Sequence, residues 1–225
     1  MREAMTEHDP LAKGLLTIHA IITRGLSVSL DSCTRYGGDS EAWAREAAGF
    51  KMFVSALRAV LHSHHLAEDE IMFPYFRDRL GGAPFDRLLR EHEKMAALLE
   101  AIAPSERKIT PGATAASELG EIRELLGDID SLWGPHIAVE EESFSAEKLH
   151  AVVAAREQRR LVRSMESHGK DHAGPVSIVL PFLFYNLDGA DRAAFQASFP
   201  RVLTKVLVPL VWRNLWKPMR PFLLV

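Results

Sequence analysis

The sequence predicts an all-α protein, an antiparallel four-helix bundle followed by a C-terminal helical extension. Three observations carry this. Apolar residues recur at alternating steps of three and four along four long segments, Gly- and Pro-containing stretches separate those segments, and nothing in the first 150 residues alternates with period two long enough to form a strand. The expected division is 1–150 for the bundle and 151–225 for an extension packing on it.

The first helix should cover residues 10–33, with Pro10 suited to its first turn and Gly37-Gly38 breaking the chain after it. Asp39 or Ser40 can cap a second helix running toward Leu80, where Gly81-Gly82 ends it. Pro84 opens a third helix reaching residue 103, and PSERKITPG reads as the loop that follows. A fourth helix is expected over 114–148. Beyond it, residues 149–167 read as a highly charged helix and SHGKDHAGP as a loop, with shorter apolar helices joined at Asp188-Gly189 and Pro200.

Composition narrows the function classes. Hydrophobic residues make up 47% and charged residues 25%, the balance of a soluble globular chain. Cys33 is the only cysteine, which excludes an internal disulfide and a multi-thiolate zinc or iron–sulfur site built by one chain. No apolar signal region opens the sequence and no uninterrupted apolar run reaches the length of a spanning helix, so a cytoplasmic location is the expectation.

Charge is unevenly spread. Residues 199–225 contain Arg201, Lys205, Arg213, Lys217 and Arg220 and no acid; since the whole chain carries −3, the remainder carries −8. So acidic a body is expected to repel nucleic acid. The basic tail also holds Trp212 and Trp216, a composition compatible with contact to an anionic membrane surface. Pro209, Pro218 and Pro221 argue against one long surface helix, and packing of the tail on the bundle is the preferred reading.

Polar residues interrupt the apolar seams. Helix two presents Phe50, Val54, Leu57, Leu61, His64, Glu68, Ile71 and Tyr75 at seam spacing; helix three Phe85, Leu88, His92, Met95, Leu99 and Ile102; helix four Leu119, Ile122, Leu126, Ile129, Trp133, His136 and Glu140. Helix one presents Leu11, Leu15, Ile18, Ile22 and Leu26, with His19 beside Ile18. Every helix thus turns one histidine inward, and two add a glutamate one turn later. An uncompensated buried carboxylate costs several kcal/mol and an unsatisfied imidazole about 1–3, so four histidines and two glutamates in one core call for a cation. His and Glu at i and i+4 share a helix face, so an HxxxE pair can bind one metal through imidazole and extend its carboxylate toward another.

The order H, HxxxE, H, HxxxE repeats at nearly constant spacing, 45 residues from His19 to His64 and 44 from His92 to His136. HHLAEDEIMF and HIAVEEESFS align without a gap at the histidine and at two glutamates, so the chain reads as a duplicated helical hairpin forming a pseudo-twofold site.

Over residues 10–150 this arrangement resembles the hemerythrin-like (HHE cation-binding) family, through the inward His of LLTIHAII, the HxxxE of HHLAEDEIMFP, the His of LLREHEKM and the HxxxE of HIAVEEESF. The resemblance implies a four-helix bundle with a non-haem di-iron centre, two iron ions in all. His19 and His64 would bind one, His92 and His136 the other, and Glu68 and Glu140 would bridge them. The sequence departs from the oxygen carriers of that family at Ala96, where they have a second histidine one turn after the third-helix ligand. The resemblance offers two functions: reaction of a small ligand such as dioxygen, peroxide or nitric oxide at open iron positions, or sensing or storage of oxygen or iron without turnover.

The remaining polar residues near these motifs have plainer readings. His62 points away from His64 and is expected in solvent; His65, about 100° round from His64, reads as a boundary residue, with a fifth ligand or a supporting hydrogen-bond donor as the sharper alternative. Glu70, Glu141 and Glu142 are expected on the solvent face, and His168 and His172 in an exposed loop. HEKMA lacks the second histidine of a zinc-protease HExxH, and the sequence contains neither a dinucleotide nor a P-loop fingerprint.

Overall fold

Four long helices pack side by side in the computed structural model, which describes residues 9–81, 83–110 and 116–225. They are α1 (Pro10–Gly37), α2 (Ser40–Ala67), α4 (Phe85–Lys108) and α5 (Ala116–Ser143). Each packs on two others, α1 and α4 both lying against α2 and α5. The protein is all-α; no strand occurs among the described residues.

Local chemistry sets most boundaries. Pro10 opens α1. The Asp39 carboxylate caps α2 by accepting the Ala42 N–H at 2.9 Å. Helix α1 runs past the expected end at Cys33, because Tyr36 is buried against Trp43 and Phe222. By length and composition α1 could cross a membrane, contrary to expectation, but Leu11, Leu15, His19, Ile22 and Leu26 form its inner face in the bundle.

Helix α2 does not run straight on to Leu80. A π-helical turn, Glu68–Met72, follows it and leads into the short α3 (Phe73–Phe76). The extra residue of a π turn rotates everything after it. The seam therefore moves off Ile71 and Tyr75, which are only half-buried, onto Met72, Phe73 and Phe76.

Other departures have equally local causes. PSERK is the last turn of α4 rather than loop: Glu106 is buried there, accepting hydrogen bonds from the Ser55 hydroxyl and, at 2.5 Å, from Arg58 Nη1. That paired carboxylate offsets the helix bond lost at Pro104. The fourth helix ends at Ser143; extended backbone at Ser145 starts α6 (Ala146–Val152), and Ala154 does the same for α7 (Ala155–His172). His168 and His172 are consequently on a helix, not in a loop. The expected start of the fourth helix at Thr114, and the residues Gly82, Pro111 and Gly112 of the expected breaks, lie outside the described residues.

The later elements are α8 (Val176–Tyr185), α9 (Gly189–Gln196), a π helix (Leu203–Val211), α10 (Arg213–Trp216) and a 3₁₀ turn (Lys217–Phe222). Asp188 caps α9 at the expected junction. The 3₁₀ turn lies on α2, where Phe222 meets Phe50 and Phe53; a Cβ on Gly49 would stand 1.9 Å from the Pro218 carbonyl oxygen, so only glycine admits this approach.

A small apolar cluster of Leu180, Phe184 and Val208 lies within the extension, and the main apolar interior is in two parts. The larger surrounds Phe50, Phe53, Leu57, Leu61, Leu99 and Trp133; the smaller contains Leu11, Leu15, Phe73, Phe76, Phe85 and Phe144. Between them all four long helices place their inward polar residues.

Candidate metal centre

Helix α1 supplies His19, α2 His64 and His65, the π turn Glu68, α4 His92 and α5 His136 and Glu140. All seven are buried, with Glu68, His136 and Glu140 entirely so. The six residues singled out from the sequence thus meet in one layer, and His65 joins them.

Each glutamate stands between two histidines on different helices. Glu68 Oε1 is 3.4 Å from His64 Nε2, and its Oε2 is 3.6 Å from His92 Nε2. Glu140 Oε2 is 3.2 Å from His19 Nε2 and 3.6 Å from His136 Nε2. The donor atoms fall into two groups, each within 4.8 Å: His19, His64, Glu68 and Glu140, and His65, His92 and His136.

Carboxylates outside the layer hold the rings. Asp69 accepts from His92 Nδ1 at 2.6 Å, Glu141 from His19 Nδ1 at 2.9 Å, and Glu91 from His136 Nδ1 at 3.0 Å. An ionised carboxylate only accepts, so each Nδ1 carries a proton and Nε2 is the ring nitrogen turned into the layer. The duplication read from the sequence extends to these acids, since Asp69 follows Glu68 as Glu141 follows Glu140, and each holds the single histidine of the other hairpin. Glu141 is therefore not simply on the solvent face. Glu142 is exposed as expected.

The layer is electrostatically incomplete without a cation. Burial pushes His64, His65 and His136 below the ordinary histidine range, keeping them neutral. Burial also lowers His19, but Glu140 and Glu141 outweigh it and leave that pKa raised. Burial, reinforced by Glu140, pushes Glu68 well above the carboxylate range. Burial acts the same way on Glu140, yet His19, 3.2 Å away and itself favoured in its charged form, overcomes it and holds Glu140 at about 2. Eight atoms make no hydrogen bond: His19 Nε2, His64 Nε2, both nitrogens of His65, and both oxygens of Glu68 and of Glu140. At about 1–3 kcal/mol each, their desolvation is on the scale of a whole domain's stability, 5–15 kcal/mol.

These donors suit metal ions. Two imidazole nitrogens at right angles, each about 2.1 Å from one ion, lie about 3.0 Å apart. His92 Nε2 and His136 Nε2 are separated by 3.0 Å. Trp133 closes one side of the layer, its ring centroid 5.3 Å from that of His19 and 6.1 Å from those of His64, His65 and His136, while its Nε1 donates to Thr23. Phe73 stacks on His92 from the other side at 5.4 Å.

His65 corrects the boundary reading. It is 3% exposed and stacks on His92 with centroids 3.8 Å apart. Helical spacing alone could not place it, because α2 packs on α7, α8 and the 3₁₀ turn as well as on α1 and α4, so more than its seam face is buried. The HH dipeptide was the available clue. In the duplicated hairpin its counterpart is Ile137, so His65 breaks the twofold pattern. His62 is exposed. His168 and His172 stay out of the layer; His168 instead pairs with Glu70 at 2.8 Å and stacks on His172.

Residues 5–147, which include all seven residues of the layer, match the family described as hemerythrin HHE cation binding domain. No match was found among curated proteins or among solved structures.

Proposed function

The chain belongs to the hemerythrin HHE cation-binding family, and we propose that its buried layer is a carboxylate-bridged di-iron centre that binds and converts a small ligand: dioxygen, peroxide or nitric oxide. The observation that carries this reading is a buried layer of donors in two clusters, His19, His64, Glu68 and Glu140 in one and His65, His92 and His136 in the other, in which eight nitrogen and oxygen atoms make no hydrogen bond.

We assign His19 and His64 to one cation, His65, His92 and His136 to the other, and the carboxylates of Glu68 and Glu140 to both. Counting one oxygen of each glutamate per ion, the first receives four protein donors and the second five. The His19/His64 position would then be the more open to a small ligand, and His65 would supply the imidazole that Ala96 cannot. The expectation from the sequence was two imidazoles on each ion, and His65 would add a third to one of them.

When bound, iron supplies Lewis acidity and one-electron redox change. The chain supplies the rest. Asp69, Glu91 and Glu141 hold three imidazoles in the tautomer that leaves Nε2 free, Glu68 and Glu140 bring two negative charges to offset the cations, and Trp133 and Phe73 keep water out.

The test is to mix the reduced, iron-loaded protein with dioxygen, hydrogen peroxide and nitric oxide in turn, with ascorbate as electron donor and a protein-free control, and follow the visible spectrum and ligand consumption. Spectral change with sustained consumption of one ligand supports conversion; no change with any of the three sinks the proposal. The closed character of the layer, whose most exposed member is His64 at 8%, favours a second reading as a sensor or store. That reading predicts a spectral change without sustained consumption.

A further inference from the structure

The tail has two apolar sides, and the bundle uses only one. Thr204, Val208, Trp216 and Met219 are buried inward. Val202, Val206 and Leu210, spaced about one turn apart and offset by half a turn from Thr204 and Val208, are 53%, 42% and 66% exposed; Val211 and Leu215 add 60% and 52%. Half of the large exposed aliphatic side chains of the described residues are in this short stretch, where they contribute nothing to the core.

Cations accompany them. Arg201, Lys205, Arg213, Lys217 and Arg220 are exposed, and among the described residues none pairs with an acid. Arg213, Lys217 and Arg220 line a cleft of about 200 Å³ beside Trp216, and Lys217 and Arg220 also line a neighbouring one of about 710 Å³. We propose that residues 201–220 dock on an anionic phospholipid surface, the exposed aliphatic side chains entering the acyl boundary and the cations meeting headgroup phosphates.

Charge selects this occupant. A twofold contact with a second copy would set five unpaired cations against five more, whereas an anionic bilayer offers negative charge with an apolar layer directly behind it, the combination this face presents. The prolines that break the tail into short pieces do not remove the face, because the 3₁₀ turn is seated on α2 at Gly49. Gly49 is fifteen residues from His64 along α2, roughly 22 Å, so the polar layer is left uncovered.

The experiment is sedimentation of the full-length protein with phosphatidylcholine vesicles, with and without phosphatidylglycerol. Binding is expected only to the anionic vesicles and should weaken as salt rises. The double variants Val206→Glu/Leu210→Glu and Arg213→Glu/Lys217→Glu should each lower partitioning about tenfold or more, while Arg159→Glu on α7 should leave it unchanged. Equal binding to neutral vesicles, no binding to anionic ones, or indifference to both double variants overturns the proposal. So does a wild-type dimer that Leu210→Glu converts to monomer, which would assign the face to a second copy.

Discussion

His92 Nε2 faces His136 Nε2 at 3.0 Å, while Asp69 and Glu91 hold the opposite nitrogen of each ring from outside. With the outward nitrogen of each ring held by a carboxylate, the two Nε2 atoms converge at the separation of two ligands of one ion, and a shared metal would satisfy both at once. Removing metal should therefore destabilise the fold, lowering the thermal midpoint at neutral pH by about 10 °C or more. Scanning calorimetry of iron-loaded and chelator-stripped protein checks this, and coincident midpoints would mean the layer is satisfied without metal.

Glu68 gives that destabilisation a pH dependence. Its folded-state pKa is raised by burial and by Glu140, so in metal-free protein its cost is absent in acid below the ordinary glutamate range and grows as pH rises through the raised value. Glu68→Gln should accordingly raise the midpoint of metal-free protein at neutral pH, have little effect near pH 4, and reduce metal retention. A midpoint lowered equally at both pH values would contradict the assignment.

The outer carboxylates act through the rings they hold. Asp69→Asn and Glu141→Gln should each weaken metal affinity about 10–100-fold with helical content unchanged. Competition with a calibrated chelator measures this, and wild-type affinity in both variants would show that burial alone orients His92 and His19.

Adjacent histidines of α2 should behave oppositely. His65→Ala should lose about one metal equivalent per chain, whereas the exposed His62→Ala should lose none. Ala96 stands one turn beyond His92, so Ala96→His should restore metal to His65→Ala while changing little in the wild-type background. Retention of both metals by His65→Ala would remove His65 from the ligand set.

Sequence periodicity located the inward faces of α4 and α5, where every seam residue from Phe85 to Ile102 and from Leu119 to Glu140 is buried. It also brought His19, His64, His92 and His136 to one level. It could not show the π turn at Glu68–Met72, because one inserted residue leaves the apolar content unchanged and only redirects it from Ile71 and Tyr75 to Met72, Phe73 and Phe76. Nor could it separate Asp69, Glu91 and Glu141 from ordinary surface acids, since what distinguishes them is a histidine on another helix. His65 was ambiguous because α2 is covered by α7, α8 and the 3₁₀ turn besides its two bundle neighbours, and the sequence does not say which faces those later elements bury.

Metal analysis and Mössbauer spectroscopy of protein purified from iron-replete cells test for the di-iron centre itself. The expected result is about two irons per chain, magnetically coupled through their shared carboxylates and unequal in environment because His65 serves only one of them. Protein that folds normally with no iron, or that holds a single uncoupled ion, would contradict it.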